Sequence, residues 1–354
     1  MTLSLTHEVL HLALRDPFRI AREDHASGEG VTTVLVELRD DRFPDVVGVG
    51  EGYPDRFYGE TPETMAAAMR YLVGRIDPAE VEYDAASAGG SLAGIARRLA
   101  ASIRWNGAAK CAIDIALHDL VGKVVGRPVH QLLGLSADIP PTDFTIGIDE
   151  PGIVAARAAR AADFPALKIK LGGPSDLDTL RAVRAVYEGP IRVDANTGWS
   201  RDDATRLLPE LETLGVELIE QPFPARAYRD LAWLQERTSI PIVADESAVG
   251  IDDLDALVGI VAGVNVKLAK CGGIAPARAM LEQARELGFR TFLGCMEETS
   301  VGIAASAAVA SLADWVDLDG CLLLADDPFD GLTLDAQHRW TLSRAPGLGL
   351  TRRF

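Results

Sequence analysis

Between residues 142 and 322, short apolar runs recur, each followed by an amphipathic stretch. The runs lie at 144–148, 167–171, 191–193, 218–219, 242–244, 264–268, 291–293 and 316–318. They are rich in β-branched residues and do not alternate with polar ones, which suits parallel strands buried on both faces. The segments between them, such as 176–187, 201–214 and 275–287, carry apolar residues at helical spacing. Eight strand–helix units predict an α/β fold, a modified TIM-like (β/α)-barrel. Residues 1–60 differ, with alternating strand-like runs at 32–38 and 46–50 and loop-like stretches at 22–30 and 51–55. Residues 61–123 are helical in pattern, opening at Thr61-Pro62-Glu63-Thr64, a capping sequence. The expected organisation is an α+β capping domain over 1–125, completed by 323–354, and a barrel over 126–322.

The apolar runs end in charged residues. Lys170 closes 166–170, Asp194 closes 191–194, Glu220 closes 217–220, Asp245 closes 242–245 and Lys270 closes 264–270. Their spacing is about 25 residues, the length of one strand, one helix and two short loops. In a parallel barrel the C-terminal strand ends converge on one face, so Asp194, Glu220 and Asp245 point at a common centre. Three carboxylates there repel one another unless a cation joins them. An oxygen-only set favours a hard ion, Mg²⁺ first and Mn²⁺ second. Lys170 and Lys270 lie one strand before and one strand after the acids, facing each other across whatever binds the ion. Two opposed bases suit a 1,1-proton transfer, in which one removes an α-proton and the other returns it on the opposite face. Mg²⁺ and nearby cations would stabilise the enediolate formed beside a carboxylate. A lysine base must be neutral, and Lys168, on the same strand face as Lys170, pushes its neighbour that way. Strand parity excludes Lys267 from playing the same part for Lys270.

Charge and cysteine content narrow the partners. A formal net charge of −17 repels phosphate backbones, which excludes nucleic acid and argues against anionic membranes. Cys111, Cys271, Cys295 and Cys321 form no CxxC pair and read as reduced thiols of a cytoplasmic protein. The N-terminal stretch lacks the pattern of a signal peptide, and no apolar run is long enough to span a membrane. Homo-oligomerisation is left open.

The motifs Lys168-Ile169-Lys170, Asp194-Ala195-Asn196, Glu220-Gln221-Pro222, Ala244-Asp245-Glu246-Ser247 and Lys267-Leu268-Ala269-Lys270-Cys271-Gly272-Gly273 resemble the enolase superfamily in its muconate-lactonizing branch. The helix at 111–123 and Pro346-Gly347-Leu348-Gly349 resemble the same family, so the likeness covers almost the whole chain. Asp317-Leu318-Asp319-Gly320, ending the eighth strand, is similar to a motif of dipeptide epimerases. The resemblance implies that Asp317 and Asp319 hold the substrate's α-ammonium group. Gly294-Cys295-Met296-Glu297-Glu298-Thr299 resembles the seventh-strand end of the same enzymes, which implies that Met296 and Glu298 border the substrate. Residues 17–22 look like a lid segment, and Arg22 matches an arginine near the substrate side chain in alanyl-glutamate epimerases. Segments 17–30 and 51–58 are expected to cover the barrel mouth. The implied activity is Mg²⁺-dependent epimerisation of a dipeptide at the α-carbon of its C-terminal residue. The alternatives on this scaffold are a cycloisomerase, an o-succinylbenzoate synthase or N-acylamino acid racemase, and an acid dehydratase. The acidic pair disfavours them, since a purely anionic substrate is repelled by it. A non-catalytic binding protein has no use for opposed bases.

Overall fold

The computed structural model describes residues 1–25 and 30–353, so residues 26–29 of the expected lid lie outside the described residues. The chain opens with strands β1 (Leu3–Leu12), β2 (Phe18–Ile20), β3 (Glu23–His25), β4 (Val31–Asp40) and β5 (Gly48–Gly52). β1, β4 and β5 form an antiparallel sheet with β4 in the middle, and β2 and β3 form a separate hairpin. Helices Pro62–Val73 and Gly107–Val125 pack on the sheet and Ala88–Ser102 packs on Gly107–Val125, and Val36, Leu38, Met65, Leu72, Leu92 and Leu117 are among the core they bury. The expected capping sequence forms a capping box between Thr61 and Thr64. Gly48, Gly50 and Gly52 share one face of β5 and lie directly on helix Gly107–Val125. A Cβ at these positions would stand 2.2, 2.0 and 2.3 Å from the carbonyl oxygens of Ala116, Ala112 and Ala108.

Eight parallel strands follow in sequential order: β6 (Phe144–Ile146), β7 (Leu167–Lys170), β8 (Ile191–Asp194), β9 (Val216–Glu220), β10 (Ile242–Ala244), β11 (Gly263–Lys267), β12 (Arg290–Gly294) and β13 (Trp315–Asp317). A parallel bridge between Thr142 and Val316 joins the first strand to the last. The strands fall where the apolar runs predict them, with one consequential difference. The run at 264–268 is not strand to its end: β11 stops at Lys267, and Leu268–Cys271 is a helical turn.

Successive side chains on a strand alternate between faces. Lys168 and Lys170, Arg192 and Asp194, Asn265 and Lys267 therefore share the barrel interior. Leu218, Val243, Phe292 and Trp315 pack together apart from the outer core. Lys168 and Arg192 lie 5.3 and 5.4 Å from the Phe292 ring centre. The barrel axis thus has an apolar floor with charged groups stacked on it.

The C-terminal segment returns to the first domain. Gly347 bridges Pro128, the Leu348 amide donates to Asp119 at 2.8 Å, and Arg352 pairs with Glu8 at 2.8 Å. Asp114, on a helix of the capping unit, accepts from the Ala275 amide at 3.2 Å and so caps barrel helix Ile274–Glu286. Among the described residues, no helix is long and apolar enough to cross a membrane.

Candidate active site

Lys170, Asp194 and Glu220 are the last residues of β7, β8 and β9 and stand in one register across them; Asp245 follows β10. One carboxylate oxygen from each of Asp194, Glu220 and Asp245 lies within 4.8 Å of the others, and all three residues are buried. Burial opposes ionisation of Asp194, but Lys170 and Lys168 prevail and hold its pKa low. Asp245 is held lower still against burial, by Lys267 and then Lys270. Burial and the neighbouring Asp194 push Glu220 up to about 7. Glu220 Oε1 accepts from Asn265 Nδ2 at 2.8 Å, while Oε2 meets Lys168 Nζ at 2.8 Å without hydrogen-bond geometry. Convergent, oxygen-only and strained by mutual repulsion, the set fits a hard divalent cation.

The loops after these strands hold the cluster in shape. Asn196, Thr197 and Gln221 have φ of 40°, 69° and 33°, a region that costs energy for residues other than glycine. The Gln221 carboxamide ties two strand ends together. Its oxygen accepts from the Asp245 and Ser247 amides at 2.9 and 3.0 Å, and its nitrogen donates to the Phe223 carbonyl at 2.7 Å. In the sequence, the only mark of Gln221 is its place directly after Glu220.

Four lysines surround the cluster, and they differ. Lys170 Nζ donates to Asp194 at 2.7 Å, and Lys267 Nζ lies 3.0 Å from Asp245 Oδ2. Their side chains remain 8% and 7% exposed, against 1% for Lys168 and 0% for Lys270. Lys168 bridges Asp317 at 2.7 Å, Glu220 at 2.8 Å and Asp194 at 3.3 Å, and these acids outweigh burial to keep it protonated. Lys270 does not face the centre as expected. Its ammonium is occupied by the carbonyls of Asp245, Ala248 and Asn265 at 2.7, 3.0 and 2.9 Å, and by Asp245 Oδ1 at 2.5 Å. The physical reason is the end of β11: Lys270 sits in the helical turn beyond it, where strand parity no longer applies. Lys267, the last strand residue, takes the inward position. Asp245 raises its pKa against burial, with Glu220 and Asp194 contributing.

Asp317 ends β13, and Thr145 of β6 holds both acids of the pair. The Thr145 hydroxyl donates to Asp317 at 3.1 Å and its amide to Asp319 at 2.5 Å. The intervening Leu318 is fixed by the Thr142 hydroxyl at 2.8 Å and by Trp340 Nε1 at 2.8 Å. Lys168 holds Asp317 well below the usual carboxylate range despite burial, whereas burial and Asp317 push Asp319 well above it. The ends of β12 and β13 abut, since a Cβ on Gly320 would stand 2.2 Å from the Met296 carbonyl. Burial, then Glu51, pushes Glu298 up to about 8.

The described parts of both lid segments reach the C-terminal end of the barrel. Arg22 pairs with Glu246, lies 3.7 Å from Asp55, and stacks 4.3 Å over the Phe57 ring. Arg22 stands out in the sequence by its match to the epimerase arginine, whereas its partner Glu246 carries no such mark beyond its place after Asp245.

Fold and site together define an enolase-type barrel with a carboxylate triad at its mouth that fits a metal ion. The chain matches the family described as mandelate racemase/muconate lactonizing enzyme, N-terminal domain, over residues 5–134, and enolase C-terminal domain-like over 153–353. It belongs to this family. It is 36% identical to an L-Ala-D/L-Glu epimerase of Bacteroides thetaiotaomicron, covering 99% of this chain and 88% of that protein. It is 37% identical to an L-Lys-D/L-Arg epimerase of Methylococcus capsulatus, covering 96% of each. A dipeptide epimerase of Enterococcus faecalis, solved with Mg and the dipeptide L-Leu-L-Tyr, superposes with a TM-score of 0.88 at 30% identity, covering 99% of this chain and 100% of that one.

Proposed function

We propose that the chain is a Mg²⁺-dependent dipeptide epimerase that inverts the α-carbon of the substrate's C-terminal residue, with Lys170 and Lys267 as its two bases. The observation that carries this reading is the placement of these lysines, one on Asp194 and one on Asp245, on either side of one carboxylate cluster. A divalent ion held by Asp194, Glu220 and Asp245 supplies fixed positive charge for the substrate carboxylate and for the negative charge that grows there as the α-proton leaves. One lysine takes the α-proton and the other delivers a proton to the opposite face. Each must be neutral when it acts as base. Carboxylates engaged elsewhere no longer hold Lys267 protonated, and the permanent charge of Lys168 opposes a second ammonium nearby. Lys270 is a structural lysine in this scheme.

Asp317 and Asp319 accept the substrate's α-ammonium. Asp317 is already balanced by Lys168, so Asp319 is the acid that gains most from an arriving cation. The barrel over 126–322 carries the chemistry, and the unit formed by 1–125 and 323–354 supplies the cover. A dipeptide-library screen in D₂O with Mg²⁺, read by mass spectrometry for α-deuterium, tests the activity. Asp319→Asn tests the ammonium site: kcat/KM for free dipeptides should fall by about 1.5–3 kcal/mol of transition-state stabilisation, and for N-acetylated ones far less. A wild-type preference for N-acylated amino acids would instead point to the racemase and succinylbenzoate synthase alternatives.

A further inference from the structure

The turn of the β2–β3 hairpin lies on the barrel through contacts that involve no residue assigned above to catalysis. We propose that Arg22 and Glu246 form a latch that holds this hairpin closed over the barrel mouth, with Gly147 as its seat. Glu246 is then a positioning residue, and Arg22 a closure element rather than a ligand for the substrate side chain. The proposal rests on the epimerase reading for its kinetic test.

Arg22 Nη1 donates to Glu246 Oε1, which also accepts from Asn196 Nδ2 at 3.3 Å. Glu246 follows the metal-ligand candidate Asp245 directly, and Asn196 belongs to the loop after Asp194. The latch therefore ends on residues one and two positions beyond two of the three carboxylates. On its other side Arg22 lies 3.7 Å from Asp55 and stacks on Phe57, so one guanidinium joins the hairpin, the 51–58 segment and the barrel. Two carboxylates already balance its charge. An acidic substrate side chain would have to displace Glu246, which is 3% exposed, and leave a buried charge unpaired.

The seat is built from absent side chains. Ile148 donates its amide to the Arg19 carbonyl at 2.9 Å. A Cβ on Gly147 would meet Arg19 N at 2.9 Å, Arg19 O at 3.2 Å and Phe18 Cα at 3.2 Å, all hairpin backbone. Ala21 Cβ lies 2.5 and 2.7 Å from where side chains on Gly172 and Gly198 would begin. Glycines after β6, β7 and β8 thus let the hairpin lie flat, and close contact there excludes water from the site.

The test uses Arg22→Met, Glu246→Gln, the double variant and Gly147→Ala in the full chain. Hydrogen exchange reads the Ile148 amide, and kinetics compare dipeptides with acidic and neutral C-terminal residues. The latch predicts faster Ile148 exchange in every variant. It also predicts a loss in kcat/KM of roughly 10- to 100-fold that is alike for both substrate classes. The double variant should be no worse than the weaker single one beyond about threefold, because both remove one interaction. A loss in Arg22→Met confined to acidic dipeptides, with Glu246→Gln behaving as wild type, overturns the latch and makes Arg22 a substrate ligand. Unchanged Ile148 exchange overturns it as well. The exchange measurement needs no substrate, so it decides the latch even if the chain epimerises no dipeptide.

Discussion

At the scale of single residues, lysines with the same formal charge are set to different tasks by what their Nζ atoms touch. Lys170 and Lys267 each set their ammonium beside one carboxylate, on side chains that keep slight exposure, whereas Lys270 is saturated by three carbonyls and Asp245. Lys170→Ala and Lys267→Ala should each lower epimerisation by roughly 10²–10⁴-fold or more, the range for loss of a general base. Each should still wash deuterium into one epimer of the substrate, on the face of the remaining lysine. Proton NMR in D₂O distinguishes the two faces, and a fully active Lys267→Ala enzyme would sink the assignment. Lys270→Met should instead destabilise the fold by about 3–5 kcal/mol in urea unfolding, because it strips a buried carboxylate and three carbonyls of their partner. The three acids and Lys170 were legible in the sequence because each stands at or just past the end of an apolar run. Lys267 was not, because even spacing favoured Lys270 and the end of β11 has no mark in the apolar pattern.

At the scale of elements, the eight strand positions follow from their apolar runs, since strands buried on both faces have no other way to be written. The glycine face of β5 and the glycines under the hairpin were not legible, because a missing side chain gains meaning only when the neighbouring backbone is known. The junction of β5 with barrel helix Ser300–Ala307 is a further case. Glu51 accepts from Thr33 at 2.7 Å, from the Thr299 amide and hydroxyl at 3.0 and 2.6 Å, and from the Gly302 amide at 2.9 Å. Glu298 lies close enough to feel this charge, and burial followed by Glu51 raises it from 4.5 to about 8. A carboxyl raised in the folded state binds more protons there than in the unfolded chain between those two values, so stability falls as pH rises from about 4.5 to 8. Glu298→Gln removes this titration. Its melting temperature should decline less between pH 5 and 8 than that of the wild type, and parallel declines would show that Glu298 does not titrate there.

At the scale of the whole molecule, carboxylates of the capping unit tie it to the rest of the chain: Asp114 caps a barrel helix, Asp119 pins the C-terminal return, and Glu51 caps the helix after β12. Each of these contacts sets a carboxylate against a backbone amide. The barrel axis has the opposite character. Asp194, Glu220, Asp245, Asp317, Asp319 and Asp143 are packed there, buried, against Lys168, Lys170, Lys267 and Arg192. An axis of this kind is chosen for chemistry, and the burial of so many ionisable groups weighs against folding. A ligand that binds only the folded form adds RT ln(1 + [L]/Kd), about 2.7 kcal/mol at a hundredfold excess over Kd. Scanning calorimetry should therefore show a melting temperature that climbs with Mg²⁺ and drops after treatment with a chelator. Asp245→Asn should flatten that response, and a metal-independent melting curve in the wild type would contradict it. Metal supply then sets the lifetime of the protein as well as its turnover: in a cell starved of divalent ions, unfolding and proteolysis would thin the pool of the enzyme itself, so its abundance would follow the ion it needs.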